Sequence, residues 1–245
     1  EAIEVLARYP AIWSESYLAP FNGVPATCSN GVPESNAARR GLKKGGFAET
    51  QAGMAEAIEA GWMYVQKECD GVIALVTGPE GVAAWRDAET NLGGSFMVNP
   101  PEPRLHLVTA KRPDGAFGID ALATDGGGLP RNDIVERGLP LVRMTALTIA
   151  DFVRKASSTP AHILGLPGKG HLAPGADGDI TVLDMERLTP VLAYAGGMRI
   201  MEDGVVYPGR TRFFTTREGA GAIAAAGLEP IVVEPERMLP PRAGA

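Results

Sequence analysis

The chain is poor in the side chains that most often staple a fold or hold a metal: two cysteines and three histidines among 245 residues. Cys28 and Cys69 are too few and too far apart for a disulfide framework or a CxxC site, and they read as reduced thiols of a cytoplasmic protein. His106, His162 and His171 form no HxH, HxxxH or HExxH pattern, so no local imidazole pair announces a metal centre. Aromatic residues make up 6%. No basic run is longer than the Arg39-Arg40 and Lys43-Lys44 pairs, and the net charge is −6. A nucleic-acid or anionic membrane surface would need clustered positive charge, so neither partner is expected. No apolar run approaches the roughly 18 residues of a membrane span, and no signal-peptide pattern is visible. Absent too are G-x-S-x-G and G-x-G-x-x-G, which leaves no signal for a serine hydrolase elbow or a dinucleotide site.

What remains is enough for one sizeable core or a domain with an appendage: 45% hydrophobic residues, with 31 glycines and 20 prolines as punctuation. Over residues 51–68, Met54, Ile58, Trp62 and Val65 recur at helical spacing, which predicts one amphipathic helix with Lys67 complementing the dipole at its end. The apolar run 71–77 predicts a buried strand, and 79–91 a helix that opens on proline and stops at Gly93-Gly94. Further strands are expected over 95–98 and 118–123. This alternation predicts an α/β architecture with a mostly parallel sheet. The Gly-, Pro-, Ser- and Asn-rich stretch 23–46 reads as a long loop. Residues 146–164 read as helical, with Thr148 as cap. Beyond Gly170 the character changes: 180–183, 191–193, 198–201 and 205–207 are short strands divided by turn signals, a small antiparallel layer. Residues 219–226 are Ala/Gly-rich, and the proline-punctuated tail from Pro230 is expected on the surface.

One stretch is more specific. Residues 160–184, PAHILGLPGKGHLAPGADGDITVLD, run from a helix end through a Gly-Lys-Gly loop into Pro-Gly-Ala-Asp-Gly-Asp and an apolar strand. Upstream, ALATDGGG places Asp125 after an apolar strand and before Gly126, Gly127 and Gly128; NPPEPRL places Arg104 after a proline run. Taken alone, an Asp before glycines is a turn, and Arg104 a surface residue in a Pro-rich connection. In this order, however, the three segments resemble the C-terminal portion of amidohydrolase-superfamily enzymes such as dihydroorotases, hydantoinases and isoaspartyl dipeptidases. The resemblance covers about 99–207, is most specific over 160–184, and departs from the family where Gly126 stands in place of a frequent His and Glu102-Pro103 interrupts the proline-arginine run.

The resemblance implies the later part of a (β/α)8 TIM-like barrel over residues 1–166, followed by a small β-sandwich portion and tail over 167–245. It implies metal-dependent hydrolysis of an amide C–N bond, cyclic or in a small dipeptide-like substrate. One or two divalent ions, Zn²⁺ by analogy, would lower the pKa of a bound water toward about 7. Asp125 is then the metal ligand and general base, Arg104 a bidentate anchor for a substrate carboxylate, and Gly126–Gly128 the pocket floor. The family's HxH strand and middle-strand histidines are not recognisable, so a second polypeptide supplying metal ligands, within an oligomer, is expected. The alternative is a catalytically inactive amidohydrolase-like subunit acting as a structural or regulatory partner. Trp13-Ser14-Glu15-Ser16 could also bring a carboxylate to a strand end, and Asp70 and Asp87 read as turn and helix-surface residues.

Overall fold

A computed structural model describes residues 2–9, 11–124, 133–209 and 211–240. Along the chain run α1 (Ala2–Arg8), β1 (Glu15–Tyr17), β2 (Asn22–Pro25), β3 (Cys28–Ser29), β4 (Val32–Pro33), α2 (Asn36–Lys44) and α3 (Gln51–Glu59). Then come β5 (Met63–Cys69), β6 (Val72–Val76), α4 (Gly78–Asp87), β7 (Gly93–Phe96), α5 (Pro101–Thr109), β8 (Ala121–Ala123) and α6 (Ile134–Arg143). Next follow α7 (Ile149–Val153), a π-helical turn over Arg154–Ser158, α8 (Thr159–Ile163), β9 (Ile180–Asp184), β10 (Thr189–Ala195) and β11 (Met198–Glu202). The chain closes with β12 (Val205–Val206), β13 (Arg212–Thr215), α9 (Ala220–Ala225), β14 (Glu229–Val232) and a 3₁₀ turn over Pro235–Arg237. Two compact units divide these elements: one holds 1–16, 106–123 and 134–245, the other 17–105 and 124–133.

The unit built on 17–105 is a four-stranded sheet in the order β2-β7-β5-β6, packed with α2, α3 and α4. Every pairing in it is antiparallel, which corrects the expectation of a mostly parallel sheet for this stretch. Two short turns set antiparallel pairs locally. Asp70 and Gly71 both have positive φ (52° and 80°), the type I′ geometry that joins β5 to β6 directly. Asn30-Gly31 does the same for the β3–β4 pair, so the expected long loop over 23–46 is in fact a strand, a hairpin and α2.

The single helix expected over 51–68 is likewise two elements. Gly61 (φ 75°) ends the first at its αL position, Trp62 N–H bonds back to Ala57 O, and β5 then buries Met63 and Val65 at strand spacing. Lys67 consequently lies on a strand, paired with Glu80 at 2.7 Å, rather than at a helix terminus. The core of this unit gathers Leu42, Met54, Ile58, Met63, Val65, Trp85 and Phe96, all 2% exposed or less. Close approach of α2 to β7 requires glycine at 41: a Cβ there would meet the Phe96 ring at 2.6 Å. Trp62 and Trp85 anchor their indole N–H groups on Gly41 O and Ala26 O, at 2.9 and 2.8 Å.

In the other unit, β12-β11-β10-β9 form the antiparallel layer expected from the sequence. Gly196-Gly197 and Asp203-Gly204, all at positive φ, supply its two-residue turns. Thr148 caps α7 as expected, and reciprocally: its hydroxyl accepts from Asp151 N–H while the Asp151 carboxylate accepts from Thr148 N–H. The residues expected to continue one regular helix instead pass through the π-helical turn before α8. Beyond the layer, β13 and β14 pair in parallel across α9, a small βαβ arrangement in the tail. The architecture is mixed α/β.

Candidate functional site

Three segments carry the residues that the sequence points to. The first is the approach to β8. Asp120 accepts from Ser14 N–H (2.9 Å) and Ser14 Oγ (3.0 Å), and Ala121 N–H donates to Ser14 O. Ala121 and Leu122 are 4% exposed. β8 is thus a short buried strand that carries the chain to Thr124. Asp125, Gly126, Gly127 and Gly128 follow it in sequence and lie outside the described residues.

The second segment is NPPEPRL. Its Pro100-Pro101 opens α5, and Arg104 turns back over the start of that helix. Arg104 Nη1 donates to Leu18 O at 2.6 Å, and Nε donates to Asn99 O at 3.0 Å. Asn99 adds Nδ2 contacts to Ala19 O and Asn22 Oδ1, and its N–H reaches Pro20 O. In this state the Arg104 fork fixes the 99–104 turn to the 18–22 segment through backbone carbonyls.

The third is the exit segment after α8. Gly165 sits at φ 65°, with Gly165 N–H on His162 O and Leu166 N–H on Ala161 O, a glycine-terminated helix end. A Cβ there would lie 2.7 Å from Arg237 O. Lys169 pairs with Asp177 at 2.8 Å and also with Asp179. Burial works against the Lys169 charge, but the hydrogen bonds to Asp177 and Asp179 outweigh it and raise the pKa above the ordinary 10.5. Burial likewise opposes the Asp179 carboxylate, yet Lys169 and the Gly196 N–H (2.7 Å) hold it below the usual range. Gly178 O accepts from Gly197 N–H, and a Cβ on Gly178 would sit 2.7 Å from that nitrogen. Pro-Gly-Ala-Asp-Gly-Asp is therefore a clamp that fixes the start of β9 on the β10–β11 turn.

The histidines have ordinary partners. His162 meets the Trp13 ring edge-on at 5.6 Å, and Trp13 Nε1 donates to Pro240 O. His171 Nδ1 accepts from Ala173 N–H (3.2 Å) and its Nε2 faces Pro167 O (2.7 Å), which fixes the tautomer. His106 is exposed in the last turn of α5. Glu15 is exposed on β1. Among the described residues no group of three or more His, Cys, Asp or Glu side chains is placed to hold a metal ion. These residues do not form a metal shell by themselves.

Similarity to known proteins falls on the same frame. The profile of the Amidohydrolase family matches residues 107–215, which contain β8, Asp125 and the exit clamp. Residues 107–215 of this chain are thus similar to the Amidohydrolase family. Dihydroorotase from Syntrophus aciditrophicus (strain SB) is 34% identical over 132 residues, covering 46% of this chain and 30% of that protein. Dihydroorotase from Pelotomaculum thermopropionicum is 35% identical over 116 residues, covering 40% and 27%. The chain thus spans under a third of the length of these curated relatives. A D-aminoacylase structure in complex with CuCl₂ is 13% identical with a TM-score of 0.49, over 85% of this chain and 44% of that one. The unit built on 17–105 lies outside the matched family residues.

One residue of chemical interest escaped the sequence reading. Lys155 is 3% exposed, donates to Ile119 O, and lies 4.2 Å from the centre of the Phe117 ring. Burial is the main reason its pKa is pushed down to about 8, with Lys111 and Arg154 adding repulsion and Asp120 and Asp151 opposing it. The available signal was position: Lys155 lies three residues after Phe152, on the face of the helical run that turns inward.

Proposed function

We propose that the protein hydrolyses an amide C–N bond, cyclic (imide, hydantoin or dihydropyrimidine type) or in a small dipeptide-like substrate. The observation that carries this reading is the match over 107–215 together with the short buried strand β8, which delivers the chain to Asp125. Asp125 takes the proton from the water that attacks the carbonyl carbon, then passes it to the leaving nitrogen. Gly126–Gly128 allow the backbone to lie close to the substrate. Arg104 is the anchor for a substrate carboxylate, exchanging backbone carbonyls for it.

The expected Zn²⁺, as one or two ions, needs ligands beyond the described residues, because those residues supply no cluster for it. A second polypeptide segment in an oligomer is the source that fits. One feature supports the reading that a partner segment completes such an enzyme: the β9–β12 layer leaves Ile180, Val182, Val205 and Val206 between 43% and 77% exposed, as half of a sandwich would. On this reading β1 and β8 belong to a (β/α)8 barrel that ends at residue 166, a sandwich portion occupies 167–245, and the antiparallel unit built on 17–105 is an insertion.

Asp125→Asn tests the assignment. Turnover of dihydroorotate, hydantoin or a β-aspartyl dipeptide should fall by at least about 10²-fold with unfolding unchanged. Unaltered turnover would remove Asp125 from the chemistry, and no turnover of any amide by the native assembly would favour the inactive-subunit alternative. Arg104→Lys separates anchoring, which raises KM, from a structural role, which lowers stability alone.

A further inference from the structure

The cavity of about 380 Å³ at the entry to β8 is lined by Lys111, Arg112, Phe117, Asp120, Arg154 and Lys155, among others. Its walls come from a tight turn and from the π-helical segment. In the turn Arg112 N–H donates to Ala116 O, Asp114 accepts from Ala116 N–H, Gly115 has φ 82°, and Lys111 bridges Phe117. That turn puts Lys111 Nζ 3.4 Å from the centre of the Phe117 ring, which Lys155 also approaches. The π-helical turn carries Arg154 and Lys155 to the same space.

The charges do not balance. Among the described residues lining it, four cations, Lys111, Arg112, Arg154 and Lys155, face two carboxylates, Asp120 and Asp151. Asp151 pairs with Arg154 at 3.1 Å, and Asp120, hydrogen-bonded by Ser14 N–H and Oγ, favours the charged form of Lys155, which leaves an excess of two positive charges. The buried Nε of Arg112 has no hydrogen-bond partner among the described residues, and Lys155 has a carbonyl and a ring face but no carboxylate within ion-pair distance. The Arg112 side chain lines the cavity, and a carboxylate or phosphate is the partner that a guanidinium fork binds best.

We propose that this cavity binds a small dianion, a dicarboxylate or phosphate-type group, between Arg112, Lys111 and Lys155, with the Phe117 ring as its apolar wall. The site lies at the N-terminal end of β8, whereas Asp125 follows the C-terminal end. It is therefore an effector or second-ligand site and stands independently of the proposed hydrolysis.

Isothermal titration of the native protein with sodium succinate and, separately, inorganic phosphate tests this. The expected result is one site per chain for at least one probe, with binding accompanied by proton uptake near pH 8, because an anion stabilises the charged form of Lys155 against the neutral one. Arg112→Gln should weaken binding at least about tenfold while leaving the unfolding transition in place; Lys155→Met should abolish the proton uptake. Succinate binding alone identifies a carboxylate ligand and phosphate binding alone a phosphate-type ligand. Failure of both probes to bind at millimolar concentration, or binding unchanged in Arg112→Gln, overturns the proposal.

Discussion

Replacing Lys155 with methionine keeps an unbranched side chain of nearly the same length while removing a buried ammonium and its contact with the Phe117 ring. In the folded protein that group titrates at about 8, against an ordinary 10.5. The unfolded chain therefore binds more protons than the folded one between those two values, so this group makes stability rise as pH rises through that window. Below about pH 8 the penalty for holding the charge is fully present; above the unfolded value it is gone. The gap corresponds to about 3 kcal/mol at about 1.4 kcal/mol per decade. Losing the donor to Ile119 O costs about 1–3 kcal/mol at every pH, so the net effect at pH 7 is small while the pH dependence is large. Urea unfolding should be followed between pH 7 and 10.5 by the fluorine signal of 5-fluorotryptophan at Trp13, which separates this unit from Trp62 and Trp85. The wild type should gain about 2–4 kcal/mol relative to Lys155→Met across that range. A flat difference between the two proteins would refute the account of Lys155 as a buried, charge-penalised amine.

Other expectations follow from single contacts. Gly41→Ala places a Cβ 2.6 Å from the Phe96 ring, which is 2% exposed and cannot swing away. Overpacking of about 1–3 kcal/mol should exceed the helix-propensity gain of about 1, lowering the urea midpoint of the unit that contains Trp62 and Trp85. Lys169→Met removes the partner of Asp177 and Asp179, and should cost about 1–3 kcal/mol, between exposed and buried ion pairs. In the wild type, the Asp179 contribution is present above its unfolded pKa and is lost as pH falls through its depressed folded value. The Lys169 contribution is present below its unfolded pKa and is lost as pH rises through its raised one. Acid unfolding monitored by circular dichroism should show a shallower loss in Lys169→Met.

The legible parts of the chain were those where local rules and tertiary context agree. The β9–β12 layer was readable because its strands are short and its Gly-Gly and Asp-Gly turns state their geometry outright. Thr148 was readable as a cap because the hydroxyl precedes an apolar helical run. Residues 51–68 misled because Met54, Ile58, Trp62 and Val65 fit helical spacing, although Gly61 breaks the helix and Met63 and Val65 then follow strand spacing. Asp70-Gly71 and Asn30-Gly31, as type I′ turns, encode the β5–β6 and β3–β4 hairpins, whereas the β7 pairings with β2 and β5 are long-range and have no local signal. Arg104 illustrates a different limit, since no spacing rule says that its fork meets Leu18 O and Asn99 O. The burial of Lys155 depends on the turn at 112–116 and the π-helical segment arriving together, which no local pattern encodes.

The central claim, the proposal that this protein takes part in metal-dependent amide hydrolysis, is tested most directly by elemental mass spectrometry of the native assembly purified without chelators. About one or two zinc ions per copy, lost together with turnover in Asp125→Ala, is the predicted result. An assembly that carries no divalent metal and is unaffected by Asp125→Ala would contradict the account.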